Sequence, residues 1–196
     1  MNKKEYRKVL QEQWNSLTAD DLALLNNATA KTIWESEEWS RCETVLAYLD
    51  FAGEISLDSL ILKSIQAEKN VLVPRIQRGG TMTFHRLKDL NPSSLELNYW
   101  NIREPLEDAE LFNPETAGRV LILTPGLGFT KDGKRMGRGG GFYDRFLSRI
   151  EENCDCITMG ISWKGIIVPD LPFDSHDRKI RKLCCETEIF DCQPLN

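Results

Sequence analysis

A chain of 196 residues is long enough to bury one substantial core and too short for two ordinary domains, so residues 1–196 are expected to form a single domain. Hydrophobic residues at 41% and charged residues at 28% lie near the globular average, which excludes a disordered chain. A formal net charge of −5 disfavours a duplex-binding protein that neutralises many phosphates, and no run of about eighteen apolar residues exists to cross a membrane.

The opening stretch MNKKEYRKVLQEQW alternates in charge and lacks the apolar core of a secretory leader, so a cytoplasmic chain is expected. On a helix, Tyr6, Leu10, Trp14 and Leu17 share one stripe, which predicts an amphipathic helix over 3–16. Lys3 and Arg7 fall at the edge of that stripe, and on spacing alone they read as snorkelling side chains. Thr18 is placed to cap a second helix through ADDLALLNNATAKTIWES, with acids in its first turn.

Strands then alternate with helices. Residues 44–50 read as a strand, 56–69 as a helix capped by Ser56, 70–75 as a strand, and 82–87 as an alternating strand behind an Arg-Gly-Gly turn. Residues 88–118 are polar and contain Pro92, Pro105 and Pro114, which predicts a long loop. The apolar run 119–125 reads as a strand buried on both faces. A helix over about 141–153, a strand over 156–162 and a short strand near 183–189 complete the pattern. The alternation predicts an α/β fold, a three-layer sandwich around a mainly parallel sheet. Ligands of such sheets gather at the carboxyl ends of strands, where the loop after Leu123 must lie.

That loop leads into the most unusual segment of the chain. From Lys131 to Arg145, the bases Lys131, Lys134, Arg135, Arg138 and Arg145 face only Asp132 and Asp144, a local surplus of positive charge in an acidic protein. Gly128 to Lys134 has the spacing of a nucleotide-binding P-loop, yet Arg135 replaces the hydroxyl residue that would hold magnesium. Gly137 and Gly139 begin a dinucleotide fingerprint, but Phe142 takes the third glycine position. What remains is a glycine run whose backbone amides can approach an anion, followed by a helix N-terminus that adds positive potential. Phosphate fits, with Arg135 and Arg138 as bidentate donors and Asp144 as a ligand to magnesium. Phe142, Phe146 and Ile150 mark the buried face of the helix, leaving Tyr143 free to meet a ligand. A solvated glycine turn and an RNA-binding Gly-Arg segment are the alternatives.

Other chemistry is weakly supported. The six cysteines do not form paired zinc knuckles and read as reduced thiols. His85 reads as structural, and His176, beside Asp174 and Asp177, is assigned no chemistry. A lone tryptophan most often pins a loop to the core, the role expected of Trp100 rather than stacking on a ligand.

The segment PGLGFTKDGKRMGRGGGFYDRFL, 125–147, closely resembles the signature of the 5-formyltetrahydrofolate cyclo-ligases, also called methenyltetrahydrofolate synthetases. The resemblance extends along the chain through Lys3 and Arg7, LDFAGEIS at 49–56, VPR at 73–75, WNI at 100–102 and HD at 176–177. It implies a fold similar to that of CoA-transferases and sugar-phosphate isomerases, with ATP as co-substrate and Mg2+ as cofactor. It implies that Lys3, Arg7, Arg135, Gly137 and Arg138 contact ATP together with Gly139, Gly140, Gly141, Phe142 and Tyr143. Arg138, Arg135 and Lys3 are then the catalytic cations. Leu49, Glu54, Phe142 and Tyr143 would meet a reduced folate, with or without a polyglutamate tail, and Asp144 and Asp177 would hold magnesium. The implied reaction phosphorylates the formyl oxygen of 5-formyltetrahydrofolate and closes the ring to 5,10-methenyltetrahydrofolate, releasing ADP and phosphate. A monomer that binds neither nucleic acid nor membrane is expected. Three positions depart from the family: Arg103 stands where many relatives have proline, Phe142 replaces the first tyrosine, and Arg181 replaces an acid and is expected to alter the surroundings of Asp177. A sugar-phosphate isomerase or CoA-transferase, and a nucleotide- or RNA-binding module, are the rival functions.

Overall fold

The amphipathic stripe at the N-terminus forms α1, Lys3–Asn15, in a computed structural model that describes residues 1–51, 53–77 and 79–192. Asn2 caps the helix, its side-chain oxygen accepting from the amides of Lys4 and Glu5 while the Glu5 carboxylate accepts from the Asn2 amide. Helix α2, Ala19–Trp34, begins at the expected Thr18 cap, completed by Asp21 in a reciprocal box. A short helix α3, Glu37–Arg41, follows.

Seven strands make the central sheet, in the order β11-β10-β9-β6-β1-β2-β3. They are β1 Thr44–Leu46, β2 Asn70–Ile76, β3 Met82–Arg86, β6 Val120–Thr124, β9 Cys156–Ser162, β10 Lys182–Cys185 and β11 Glu188–Asp191. The five inner strands are parallel, and the edge strands β3 and β11 run antiparallel to their neighbours. In β1 and β6 successive side chains enter opposite layers, as the pleat requires. Val45, Leu121 and Leu123 pack with Leu10, Ile33 and Leu60 beneath α1, α2 and α4, Asp58–Gln66. Leu46 and Ile122 pack instead with Phe84, Phe146, Leu147 and Ile150 under α5, Phe142–Ile150. The expected three layers are present. Among the described residues no helix is long and apolar enough to cross a membrane.

Several local expectations change. Strand β1 pairs only over Thr44–Leu46, so the predicted end of the strand is a loop. The cap position of α4 is Leu57, with Ser56 one residue earlier. Residues 88–118 contain a hairpin of β4, Leu95–Leu97, and β5, Arg103–Pro105, where proline punctuation had suggested only loop. The last predicted strand is a hairpin, β10 to β11, turned by Glu186 at φ 55°. Ala52 in segment 49–56 and Arg78 in the glycine turn before β3 lie outside the described residues.

Helix α1 is brought down onto the loop after β6 by two contacts. Trp14 Nε1 donates to the Leu127 carbonyl at 3.1 Å. Gly128, in the two-residue strand β7 (Gly128–Phe129), lies so close to Leu10 that an added Cβ would come within 2.6 Å of its side chain. Lys3 and Arg7 are thereby carried to the carboxyl end of the sheet.

Candidate active site

A cavity of about 530 Å³ opens where the loops after β1 and β6 meet the start of α5, with α1 on one side and the β4–β5 hairpin on the other. The glycine segment forms one wall. It leaves β8, Arg135–Met136, and reaches α5 through Gly139 at φ 108° and Gly141 at φ 65°, conformations that side-chain-bearing residues rarely adopt. Gly141 is the N-cap position of α5, so the positive end of the helix points toward the same wall.

Cations surround this wall. Arg7 Nε donates to the Gly137 carbonyl at 2.9 Å. Arg135 is almost fully buried, with Nη2 on Asp144 Oδ1 at 2.9 Å, its guanidinium over the Tyr143 ring at 5.4 Å, and Nε without a partner among the described residues. Lys3 Nζ lies 2.6 Å from Asp177 Oδ2 and 2.7 Å from Asp174 Oδ2. The snorkelling reading of Lys3 and Arg7 is thus replaced: both side chains line the cavity. Gln11, one turn beyond Arg7 on the same helix face, accepts from Arg138 Nη1 at 3.1 Å. Nothing in the chemistry of a glutamine singled it out, although the i, i+4 spacing from Arg7 was readable.

The opposite wall is apolar with one buried carboxylate. Leu49 is buried, and Glu54 accepts from the Phe51 amide at 3.2 Å and from Arg138 Nε at 3.1 Å. Burial pushes the Glu54 carboxyl up and Arg138 pulls it down, with burial prevailing. Tyr48 sends its hydroxyl to the Ile55 carbonyl at 2.8 Å, and burial holds it well above the usual phenol range. Tyr143 is likewise pushed up by burial and then by the Glu54 charge, so its hydroxyl stays a neutral donor, and that buried oxygen has no partner among the described residues.

Some side chains differ from expectation. Tyr143 lines the cavity as expected but also packs against Phe84 at 6.4 Å, Phe142 is only half-buried, and Leu147 fills the core position beside Phe146 and Ile150. Trp100 does not pin the loop: it is 52% exposed at the hairpin tip, edge-on to Tyr99, and lines the cavity mouth. The Arg181 backbone is tied to Thr158 and its charge acts on Cys156, while the charges and hydrogen bonds that set Asp177 come from Lys3, Asp174 and His176. His85 is structural, between the Ala109 carbonyl and Thr83.

The two proposed metal carboxylates have different partners. Asp144 Oδ1 takes Arg135 and the Arg178 amide. Asp177 clusters with Asp174 and His176, their ligand atoms lying within 4.8 Å of one another. Burial raises the Asp177 carboxyl, but hydrogen bonds from Lys3 and the Asp174 amide outweigh it and leave the group below its ordinary range. Hard carboxylate oxygens on a phosphate-sized, cation-rich wall suit magnesium, which keeps several waters and takes one or two protein carboxylates.

The 5-formyltetrahydrofolate cyclo-ligase family profile matches residues 1–186. The 5-formyltetrahydrofolate cyclo-ligase of Mus musculus is 29% identical over 189 residues, spanning 94% of this chain and 93% of the relative. That of Haemophilus influenzae is 31% identical over 140 residues, 71% of this chain and 74% of the relative. Among solved structures, Aquifex aeolicus 5,10-methenyltetrahydrofolate synthetase superposes with a TM-score of 0.81 at 26% identity, covering 100% of this chain and 95% of that one.

Proposed function

Because the chain belongs to the 5-formyltetrahydrofolate cyclo-ligase family and is a ligase of folate metabolism, we propose that its cavity holds ATP and 5-formyltetrahydrofolate side by side. The observation that supports this most directly is the division of one cavity into a cation-and-glycine wall and an apolar wall with a buried carboxylate. The first suits a triphosphate. The second suits a flat heterocycle with N–H donors.

A formyl group on nitrogen is an amide, whose oxygen is a poor leaving group. In the proposed reaction that oxygen attacks the γ-phosphorus of ATP, the bond to the β-γ bridging oxygen breaks, and ADP leaves. The second folate nitrogen adds to the formyl carbon and loses its proton, and the C–O bond breaks to release phosphate, giving 5,10-methenyltetrahydrofolate. No protein nucleophile is required; positioning and charge cancellation are.

Arg138 and Lys3 supply partly exposed positive charge, and Arg135, buried against Asp144, supplies charge in a fixed orientation. Arg7 holds the glycine loop through Gly137, while Gly139, Gly140 and Gly141 present their backbone to the phosphates. Glu54 accepts folate N–H groups, and Leu49, Phe142 and Tyr143 enclose the ring system. Asp144 and Asp177 are the residues to hold magnesium, which when bound neutralises phosphate charge. The same reading takes the enzyme as a cytoplasmic, single-domain monomer acting on small molecules.

The test is methenyl-folate absorbance on mixing the protein with 5-formyltetrahydrofolate and Mg-ATP. A rise that requires ATP is expected. No rise, or a rise without ATP, overturns the reading and favours a phosphate-sugar or thioester chemistry for the cavity.

A further inference from the structure

Arg103 opens β5 and reaches out of the hairpin to two carboxylates on the other side of the cavity mouth. Its Nη2 lies 2.8 Å from Asp50 Oδ1 and 2.9 Å from Asp58 Oδ1, and its Nη1 lies 2.9 Å from Asp58 Oδ2. Asp50 follows Leu49 in the loop after β1, and Asp58 is the first residue of α4. The two acids therefore bracket the segment that carries Phe51 and Glu54, and one guanidinium fixes both ends of it.

The hairpin on the other side of this clamp is itself hydrogen-bonded to the sheet. The buried Glu104 accepts from the Ile76 amide at 3.0 Å and from Asn98 Nδ2 at 2.8 Å, tying the hairpin to the end of β2. Asn98 Oδ1 in turn accepts from the Trp100 and Ile102 amides at 2.9 and 3.1 Å, shaping the turn that presents Trp100. Arg103 thus joins two preformed pieces, one carrying the buried carboxylate and one the exposed indole.

The clamp contributes little to holding the fold together. Arg103, Asp50 and Asp58 keep 30%, 32% and 38% of their side-chain surface exposed, and ion pairs at that exposure add little to stability. What a three-bond, two-carboxylate fork does provide is geometry. We propose that Arg103 is a positioning residue that sets the folate end of the cavity, by clamping the Trp100 hairpin to both ends of the loop that carries Glu54. This rests on the assignment of that loop to folate.

The experiment measures the affinity of the full-length protein for 5-formyltetrahydrofolate and, separately, for a non-hydrolysable ATP analogue, with steady-state kinetics alongside, for wild type, R103A, R103K and D58N. In R103A the folate Kd and KM are expected to rise about ten-fold or more, with the ATP-analogue Kd and kcat at saturating folate within about two-fold of wild type. R103K, whose single ammonium cannot span both acids, should fall between wild type and R103A. D58N removes the bidentate half of the clamp from the other side and should shift folate in the same direction, which keeps the test decisive if R103A does not fold. Unchanged folate affinity in R103A or D58N overturns the role, and so does an equal loss for folate and ATP analogue. A wild-type protein without ATP-dependent turnover overturns the folate assignment and the Arg103 role together; an active wild type with folate-indifferent variants overturns the Arg103 role alone.

Discussion

Arg138 and Glu54, 84 residues apart in sequence, meet at 3.1 Å and join the cation-and-glycine wall of the cavity to its apolar wall. The same guanidinium lies over the Phe51 ring at 5.3 Å and takes Gln11 from α1, so one arginine ties the loop after β1 to the first helix.

Replacing Arg138 by alanine removes a charge that can follow the transferring phosphoryl group. kcat/KM should fall by about 100-fold or more, while stability falls less than in Arg135→Ala, because the Arg138 side chain is one-third exposed and the Glu54 left behind keeps the Phe51 amide. Turnover equal to wild type would remove Arg138 from the reaction.

Glu54 gives a pH dependence of defined sign. Its folded carboxyl titrates above the ordinary value because of burial, so the native state binds its proton more tightly than the unfolded chain. Its contribution to stability is therefore fully present below the ordinary carboxyl range and is lost as pH rises through the raised value. Glu54→Gln should match wild type in melting temperature at acid pH and gain on it as pH climbs to neutrality, while folate affinity drops. Parallel curves for the two proteins across that interval would contradict the assignment.

Arg135 and Asp144 form the most buried ion pair of the site, with side chains 4% and 18% exposed. Truncating the arginine leaves Asp144 without its counter-charge, so Arg135→Ala should cost about 3 kcal/mol or more of unfolding free energy as well as activity. Chemical denaturation beside the activity assay distinguishes this variant from Arg138→Ala, whose loss of stability should be smaller.

Gly141 stands at φ 65° at the head of α5, and an alanine there is forced into a left-handed conformation costing about 1–2 kcal/mol. Gly141→Ala should lower stability by that amount and weaken ATP-analogue binding more than folate binding. The reverse order of losses would place the glycine turn at the folate wall.

Trp100, half exposed at the hairpin tip, should be dispensable for stability. Trp100→Ala is expected to leave the melting temperature within a degree or two, since surface truncations are commonly worth about 0.5 kcal/mol or less. A raised KM for folate with an unchanged KM for ATP would place the indole over the folate.

The sequence by itself determined the elements whose signals are local. The Thr18 cap, the α1 stripe and the doubly buried β6 follow from hydrogen bonds and periodicities among residues near one another in the chain. The cation-and-glycine composition of 131–145 was legible for the same reason, and so was the wall it forms. Only the tertiary structure decided what lies opposite that wall. It buried the hydroxyl of Tyr143, exposed Trp100, gathered Asp174 and His176 around Asp177, and turned Arg103 into a bridge between Asp50 and Asp58. Each of these depends on where the ends of separate strands and loops meet across the sheet. Helical and strand periods place a side chain on a face of its own element, and carry no information about the residue that a distant loop brings against it.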